Sequence, residues 1–288
     1  MKKNSRIVWF GLLILVVVIA IGFGIKQFTV PQLPVIPLGV RLAEFQSRKD
    51  ERELSREALG IVSDEVAILF AGRLSFHAKA HPFPMLAALN KAAERSKQRV
   101  VLLLCGQFPN DAVHQAFIQA AQTYAPHIRT QWVDGKDFAA YGRSWAASDI
   151  FVSLSDNLQE TFGITPLEAM ASGLPVVVSD WDGYKDTVVD GETGFRIPTW
   201  MPPPNVGTPL AAAFEAGTIN YDRYIGLACM EVSLDNDILI QRLSTLISDP
   251  ALRNRMGNAG QARVAKNYDW SIVMDQHINL WQELIRCC

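Results

Sequence analysis

The stretch ETFGITPLEAMASGLPVVVSD, residues 160–180, holds the signals that decide the fold of this 288-residue chain. It ends in LPVVVSD, a short β-branched run of the kind that forms a strand buried on both faces of a sheet. Before it, Thr165, Pro166 and Glu168 fit an N-cap, an N1 proline and an N3 glutamate, and Gly173 fits the end of a helix. The stretch therefore predicts a loop, a capped helix and a buried strand.

The same alternation occurs along most of the chain. VAILFAG, VVLLLCG and DIFVSLS are further buried-strand candidates, IRTQWVD is a poorer one, and PFPMLAALNKAAERSK, NDAVHQAFIQAAQTYA and KDFAAYGRSWAAS have helical spacing. Strands and helices that alternate at this pitch predict an α/β fold with one Rossmann-like parallel sheet, whose ligands bind beyond the carboxyl ends of the strands. Residues 201–218 are predicted to be an irregular insertion. The tail from Asp235 is predicted to be helical, with breaks at 249–250 and near Gly257.

The composition narrows the class of protein. Hydrophobic residues make up 49% and charged residues 19% of the chain, which fits a folded protein with some membrane content. The formal net charge of −2 gives no general attraction to nucleic acid, which is therefore not an expected partner. The 4 cysteines show no CxxC or Cys/His spacing, and His77 and His81 have no carboxylate or cysteine at ligand spacing. The sequence therefore predicts neither a metal site nor a disulfide framework.

The N-terminal segment is typical of a membrane anchor. Residues 7–25 are apolar and uncharged over 19 residues, about the length that spans a bilayer. They predict a single-pass transmembrane helix within residues 1–30 and a globular domain over 31–288, with a cleaved signal peptide or a buried helix as the alternatives. The flanking positive charges favour a domain outside the cytosol. The function inferred below requires a cytoplasmic domain, and that side is the one predicted here.

Two groups of side chains follow the carboxyl ends of predicted strands. Glu160 lies after DIFVSLS, close to Gly163, which lets the backbone approach a ligand, and to a helix N-terminus whose amides can bind an anion. Arg73 and Lys79 follow VAILFAG, where they can clamp a diphosphate or can be two solvated loop cations. Glu168 also has a structural alternative, because as N3 it would cap its own helix. The sequence has no dinucleotide-binding GxGxxG motif at a strand end and no P-loop.

In their order along the chain, these motifs resemble the donor-binding half of retaining glycosyltransferases of family 4, which have the GT-B fold. AGRLSFHAK, the Glu-x7-Glu element from Glu160 to Glu168 and the GLPVV strand after it carry the resemblance. VIPLGV at 35–40 is similar to the family's entry into its second domain, and YDW…LWQEL is similar to its final helices. The resemblance extends over roughly residues 34–284. It implies that this chain is the C-terminal half of a GT-B fold behind its anchor.

The resemblance also implies roles for individual residues. Arg73 and Lys79 would hold the donor diphosphate and stabilise the leaving group without a metal, and Glu160 would contact the hydroxyls of the donor sugar. Glu168 would hydrogen-bond the ribose, which is compatible with its capping the helix. No cofactor is implied besides the nucleotide-diphosphate sugar, whose base stays open. The residues implied to bind the donor are Phe162, Gly163, Ile164, Thr165 and Glu168.

The chain departs from the family pattern in three respects. Where the family commonly has Gly-Gly-x-x-Glu, this sequence reads DWDGYKD, with Gly183 as the one glycine and Asp186 at the place of the glutamate. Arg41 replaces an acid that often follows the Gly-Val turn. The largest departure is the lack of an acceptor domain, which needs about 150–200 residues. A separate subunit could supply it, or the chain could be a truncated product or a sensor that reuses the donor site.

The expected function is that of a retaining, metal-independent glycosyltransferase that takes a nucleotide-diphosphate sugar as donor. Its acceptor would be a cell-surface glycan or a lipid-linked glycan, held by a separately supplied acceptor domain. The alternative is a truncated, catalytically incompetent nucleotide-sugar-binding domain. A sugar-nucleotide epimerase shares the fold, but the Glu-x7-Glu element matches transferases better.

Overall fold

The computed structural model describes residues 34–48, 51–77 and 79–287. The predicted anchor at 7–25 and the predicted boundary after residue 30 lie outside these ranges. Within these ranges, no helix is both long enough and apolar enough to span a bilayer. The compact unit that begins at Leu38 is built around one parallel sheet.

Six strands form this sheet: β1 Glu65–Ala71, β2 Arg99–Gly106, β3 Arg129–Asp134, β4 Ile150–Ser153, β5 Val176–Ser179 and β6 Gly194–Ile197. Their order in the sheet is β3-β2-β1-β4-β5-β6. All neighbours are parallel, and Ile68 and Leu69 of β1 pair with Ile150 and Phe151 of β4. The strand order reverses between β1 and β4, so a crevice opens beyond their carboxyl ends.

The four strands predicted from continuous apolar runs are present as β1, β2, β4 and β5, and the α/β prediction is confirmed. The poorer candidate forms β3, which lies at the edge of the sheet and is only partly buried, and this explains its weaker apolar pattern. β6 was not predicted, because GFRI is 4 residues long and contains the charged Arg196.

Helices cover both faces of the sheet, and a short antiparallel ribbon of β7 Thr199–Trp200 and β8 Ser233–Leu234 lies outside it. The helices are α1 Leu42–Arg48, α2 Arg52–Ala58, α3 Pro82–Ser96, α4 Asp111–Tyr124, α5 Phe138–Ala147, α6 Ile164–Ala171, α7 Tyr184–Thr187, α8 Thr208–Glu215, α9 Tyr221–Met230, α10 Asn236–Ser248, α11 Pro250–Asn267 and α12 Trp270–Cys287. The insertion predicted to be irregular therefore contains α8. The predicted helical tail is confirmed as α10, α11 and α12.

The core consists of two layers, one on each face of the sheet. Ile68 and Phe70 of β1 pack into the layer under α3, α4 and α10, whereas Ala67 and Leu69 pack into the layer under α5, α6 and α11. Successive side chains of a strand point to opposite faces, so a strand covered on both sides must be apolar throughout. This requirement explains the continuous apolar runs in the sequence. Each fully buried aliphatic side chain contributes about 1.5–3 kcal/mol.

One expected helix break is present and the other is wrong. α10 ends at Ser248, and α11 begins at Pro250 with the Asp249 carboxylate accepting from the N–H of Leu252 over 2.8 Å. α11 then continues through Gly257 without interruption. A Cβ on Gly257 would lie 2.0 Å from the carbonyl oxygen of Gly173. The glycine therefore allows close helix packing and does not end the helix.

Candidate functional site

A cavity of about 280 Å³ lies beyond the carboxyl ends of β1 and β4, where the strand order reverses. Four of the residues predicted from the sequence, Arg73, Lys79, Glu160 and Thr165, line it. Ligands of doubly wound sheets bind at such switch points. The other lining residues are Gly72, Asn157 and Gln159.

Lys79 and Glu160 are in direct contact within this cavity. Nζ of Lys79 donates to Oε2 of Glu160, and only 14% and 12% of the two side chains are exposed. The ring centroid of the buried Tyr184 lies 5.7 Å from Nζ, and the Tyr184 hydroxyl donates to Oε2 of Glu160 over 3.4 Å. A charge this far from water needs a partner, so the cation and the carboxylate stabilise each other.

Tyr184 supports the floor of the cavity. Its hydroxyl is hydrogen-bonded to Oγ of Ser153, the last residue of β4, over 2.8 Å. Burial, followed by the negative charge of Glu160, raises the pKa of Tyr184 well above its usual value, so the phenol stays a neutral donor. Tyr184 is not among the site residues predicted from the sequence. Its position next to Gly183, within the element that departs from the family pattern, was the available signal.

Gly183 is the one glycine of that element, and the close packing at its position requires a glycine. A Cβ at this position would lie 2.3 Å from the carbonyl oxygen of Thr161 and 2.4 Å from Cα of Phe162. The start of α7 therefore packs directly on the backbone of the Glu160 loop, which places Tyr184 under the cavity.

Asn157 joins the two loops that form the cavity. Its Nδ2 donates to the carbonyl oxygen of His77 over 2.7 Å, and its Oδ1 accepts from the N–H of Gln159 over 2.8 Å. Its own carbonyl oxygen accepts from Nε1 of Trp181 over 3.0 Å. Since Asn157 is 2% exposed, these bonds fix the path of the chain toward Glu160.

Two neighbouring side chains reinforce this connection. Oγ of Ser155 donates to the carbonyl oxygen of Lys79 over 3.1 Å, and Oδ2 of Asp156 accepts from the N–H of His81 over 3.0 Å. Asp156 is 8% exposed, and its burial raises the pKa of the carboxyl group to about 6. The loop after β4 is therefore held to the loop after β1 by three consecutive residues.

The helix after Glu160 begins earlier than predicted, and the predicted capping box is wrong. α6 begins at Ile164, with Gly163 as its N-cap at φ 77° and no side chain capping it. Thr165 is therefore the second helical residue and Glu168 the fifth, too far along the helix to cap it. A Cβ on Gly163 would lie 2.1 Å from Cε1 of Tyr184, so the packing requires glycine there.

The first turn of α6 carries no side-chain cap. The N-cap residue, Gly163, has no side chain that could accept a hydrogen bond, so the backbone N–H groups of the first turn lack a capping partner. Oγ1 of Thr165 is buried and lacks a hydrogen-bond partner among the described residues, although Thr165 lines the cavity. Free amides at a helix N-terminus, together with a hydroxyl, are suited to phosphate oxygens.

Four of the predicted donor-binding residues do not line this cavity. Gly163 is buried beneath it as the N-cap, and Phe162 is partly buried with its ring centroid 6.4 Å from that of Tyr268. Ile164 is 42% exposed. Oε2 of Glu168 accepts from the hydroxyl of Tyr141 over 3.1 Å.

The Tyr141 hydrogen bond gives Glu168 a structural partner outside its own helix. Burial raises the pKa of Tyr141, and the charge of Glu168 raises it further, so the phenol remains a donor. Within the described ranges, no group of three His, Cys, Asp or Glu side chains is arranged to hold a metal ion.

A doubly wound domain with a partly cationic cavity at its switch point is the architecture of the C-terminal domain of GT-B glycosyltransferases. The family model for glycosyl transferases group 1 matches residues 51–200, just over half of the chain. The chain therefore belongs to the family of glycosyl transferases group 1.

Relatives and solved structures agree with this family. Phosphatidyl-myo-inositol mannosyltransferase of Mycobacterium tuberculosis (strain CDC 1551 / Oshkosh) is 30% identical over 215 residues, which cover 75% of this chain and 46% of the relative. Anabaena Alr3699/HepE, solved in complex with UDP-glucose, has a TM-score of 0.58 at 19% identity and covers 85% of this chain and 56% of its own.

A second similar solved structure is an isolated domain. The C-terminal domain of a glycosyl transferase group 1 family protein (LpcC) from Francisella tularensis has a TM-score of 0.53 at 18% identity. The match covers 81% of this chain and 100% of that domain. The chain spans about half the length of the curated relatives it matches.

Proposed function

We propose that this chain is the donor-binding part of a retaining, metal-independent glycosyltransferase of family 4 that uses a nucleotide-diphosphate sugar. The convergence of Arg73, Lys79, Glu160 and Thr165 on one cavity at the switch point carries the proposal. Two cations and an uncapped helix N-terminus can bind a diphosphate, and a carboxylate can hydrogen-bond sugar hydroxyls.

In this mechanism the protein stabilises the departing nucleoside diphosphate by electrostatics. As the bond between the sugar and the phosphate breaks, negative charge grows on the phosphate oxygen. Arg73, the ammonium group of Lys79 and the amides at the start of α6 offset that charge, and removing one such donor from a site of this kind typically costs about 10²–10³ in kcat. Glu160 orients the sugar, and its contact with Tyr184 fixes the carboxylate.

The similar proteins support the substrate classes. A nucleotide sugar, UDP-glucose, is bound in the Anabaena structure, and the mycobacterial relative is named for transfer of mannose to phosphatidyl-myo-inositol. We propose a nucleotide-sugar donor and a glycan or lipid-linked acceptor for this chain as well. We also propose an acceptor domain, supplied as a separate subunit, as the partner of this donor site.

A membrane location is a second element of the proposal. The apolar segment 7–25 would anchor the chain at a bilayer, next to a lipid-linked acceptor. Nucleotide sugars are cytosolic, so the domain would lie on the cytoplasmic side. A reporter enzyme fused after the C-terminus, active on one side of the membrane only, tests this orientation.

Calorimetry on the full chain tests the proposed function. UDP, GDP and ADP, with their glucose and mannose conjugates, are titrated into the wild type, Arg73→Ala and the matched control Arg255→Ala, an exposed arginine away from the cavity. We expect one base to bind, with affinity reduced at least about tenfold by Arg73→Ala alone.

Two results would argue against parts of this proposal. No nucleotide binding by a folded chain would remove the donor site altogether. Binding without nucleotide release, even with candidate acceptor domains added, would favour a nucleotide-sugar-binding domain that lacks turnover. The anomeric configuration of any product, read by NMR, tests retention.

A further inference from the structure

Residues 201–232 form an excursion of the chain between β7 and β8, outside the six-stranded sheet. Thr199 and Trp200 of β7 pair with Leu234 and Ser233 of β8, so the excursion begins and ends side by side. It contains α8 and α9 and begins where the family match, residues 51–200, ends.

The excursion packs on both loops of the proposed donor cavity. Nε2 of Gln159, the neighbour of Glu160, donates to the hydroxyl of Tyr221 over 2.6 Å. Sγ of Cys229 lies 3.7 Å from the carbonyl oxygen of His77, and a Cβ on Gly226 would be 3.5 Å from the His77 side chain. α9 is thus fixed beside Gln159 and His77, which lie close in sequence to the cavity residues Glu160 and Lys79.

A groove of about 750 Å³ lies between α9 and the loop after β1, next to the donor cavity. Asn220, Asp222 and Arg223 line it from the start of α9. On the opposite wall, Phe76 and His77 belong to the loop that continues to Lys79.

The chemistry of the groove suits a neutral ligand that carries hydroxyl groups. The carboxylate of Asp222 and the guanidinium of Arg223 have opposite charges, and no hydrogen bond links either side chain to another described residue. Oδ1 of Asn220 caps α9 by accepting from the N–H of Arg223 over 2.9 Å, which leaves its NH₂ group as a donor. Acceptors and donors therefore alternate along one wall.

The remaining wall is apolar or uncharged. Phe76, Leu227 and Met230 provide nonpolar surface, and Met230 is 74% exposed. His81 also lines the groove, and burial lowers its pKa, so the imidazole is neutral near pH 7. A groove with one apolar wall and a few convergent polar groups suits a pyranose ring, which has both nonpolar CH groups and polar hydroxyl groups.

We infer that this groove binds the terminal sugar of the acceptor glycan and presents it to the donor cavity. The inference rests on the proposed function and adds an acceptor subsite on this chain itself. Gln159 lines the donor cavity and donates to Tyr221, which lies in the chain between the groove residues Asn220 and Asp222, so a sugar in the groove would lie close to the one held by Glu160.

The test compares a groove variant with a matched control in the full chain. Asp222→Ala/Arg223→Ala removes one exposed acid and one exposed arginine from the groove, and Glu215→Ala/Arg255→Ala removes the same pair outside it. Each protein is titrated with methyl α-glucoside, methyl α-mannoside and their α-linked disaccharides by saturation-transfer NMR. UDP and GDP affinity is measured in parallel.

We expect at least one of these glycosides to bind the wild type and the control equally, and the groove variant at least about tenfold more weakly. Nucleotide affinity should be the same in all three proteins. Equal glycoside binding by the groove variant, or no glycoside binding by a chain that binds nucleotide, would overturn the inference and leave the donor site intact. Loss of nucleotide binding in the wild type would instead overturn the proposed function on which the inference rests.

Discussion

Lys79 donates to Glu160 across 81 residues of sequence, joining the loop after β1 to the loop after β4. Both side chains are mostly buried, so the pair holds the walls of the cavity together while it balances the charge inside. A ligand phosphate that binds Lys79 competes with the Glu160 carboxylate for the charge of the ammonium group, which has three N–H donors. Because of this competition, substitutions of the two residues should have different effects on ligand binding.

Changes to the two partners should have different effects on nucleotide affinity. Lys79→Ala removes the cation and leaves Glu160 uncompensated, so UDP or GDP should bind about 10–100-fold more weakly. Glu160→Gln releases Lys79 from its competitor and should keep or increase diphosphate affinity while losing the preference for the sugar conjugate. Calorimetry with UDP and UDP-glucose measures both effects. Equal losses in the two variants would contradict the competition.

Gly163→Ala should destabilise the chain and reduce nucleotide binding. The new Cβ would overlap the Tyr184 ring at 2.1 Å, in addition to the strain of φ 77°. Gly191→Ala is the matched control, because Gly191 has φ 75° with nothing within 4 Å. We expect the free energy of unfolding, measured with urea, to fall by about 1 kcal/mol in the control and by about 1–3 kcal/mol more in Gly163→Ala. Similar losses would mean that Tyr184 can move aside.

Glu168→Ala distinguishes ribose binding from a purely structural role. If Glu168 holds the ribose, the variant should bind the ribonucleoside diphosphate about tenfold more weakly but the 2′,3′-dideoxy analogue almost as well as the wild type. Tyr141→Phe removes only the partner hydroxyl and serves as the control. Equal losses for both nucleotides would assign Glu168 to the Tyr141 contact alone.

Asp156 should make stability fall as the pH rises from about 4 to 6. Burial raises its pKa from 3.8 to about 6, so in that window the native state binds more protons than the unfolded chain. The free energy of unfolding therefore decreases with pH, by about 3 kcal/mol in total from this group.

Asp156→Asn removes this pH-dependent contribution to stability, because the amide is neutral throughout and can still accept from the His81 N–H. The stability of the variant relative to the wild type should increase between pH 4 and 7, and taking this difference cancels the contribution of His81. Urea unfolding at several pH values measures it. A constant difference would contradict the assigned burial.

The sequence predicted the fold because two-sided burial leaves an unambiguous pattern. β1 and β5 are buried at every position and apolar except for Glu65 at the start of β1 and Ser179 at the end of β5, because helices cover both faces of the sheet. The edge strand β3 and the 4-residue β6 were weak or missing, since partial burial and short length reduce that pattern. Periodicity cannot distinguish a glycine that ends a helix from one that a neighbour requires, and so Gly257 was misjudged.

At the candidate site, local sequence patterns selected some residues correctly but could not show what packing requires. Arg73, Lys79 and Glu160 could be selected because each follows the carboxyl end of a predicted strand, and the topology of a parallel sheet brings those ends together. Thr165 was implied as a binding residue by the family resemblance. The start of α6 could not be predicted from local capping rules, because the packing of Gly163 on Tyr184 overrides them.

By itself the sequence determined the class of fold and the resemblance to glycosyltransferases, and it predicted the edge of the sheet where ligands bind, since all three follow from local patterns and their order. Only the tertiary structure decided that Lys79 contacts Glu160, that Tyr184 supports them and that the excursion forms a groove beside them. These contacts join residues far apart in the chain, and their geometry depends on how the two loops pack against each other and against α9.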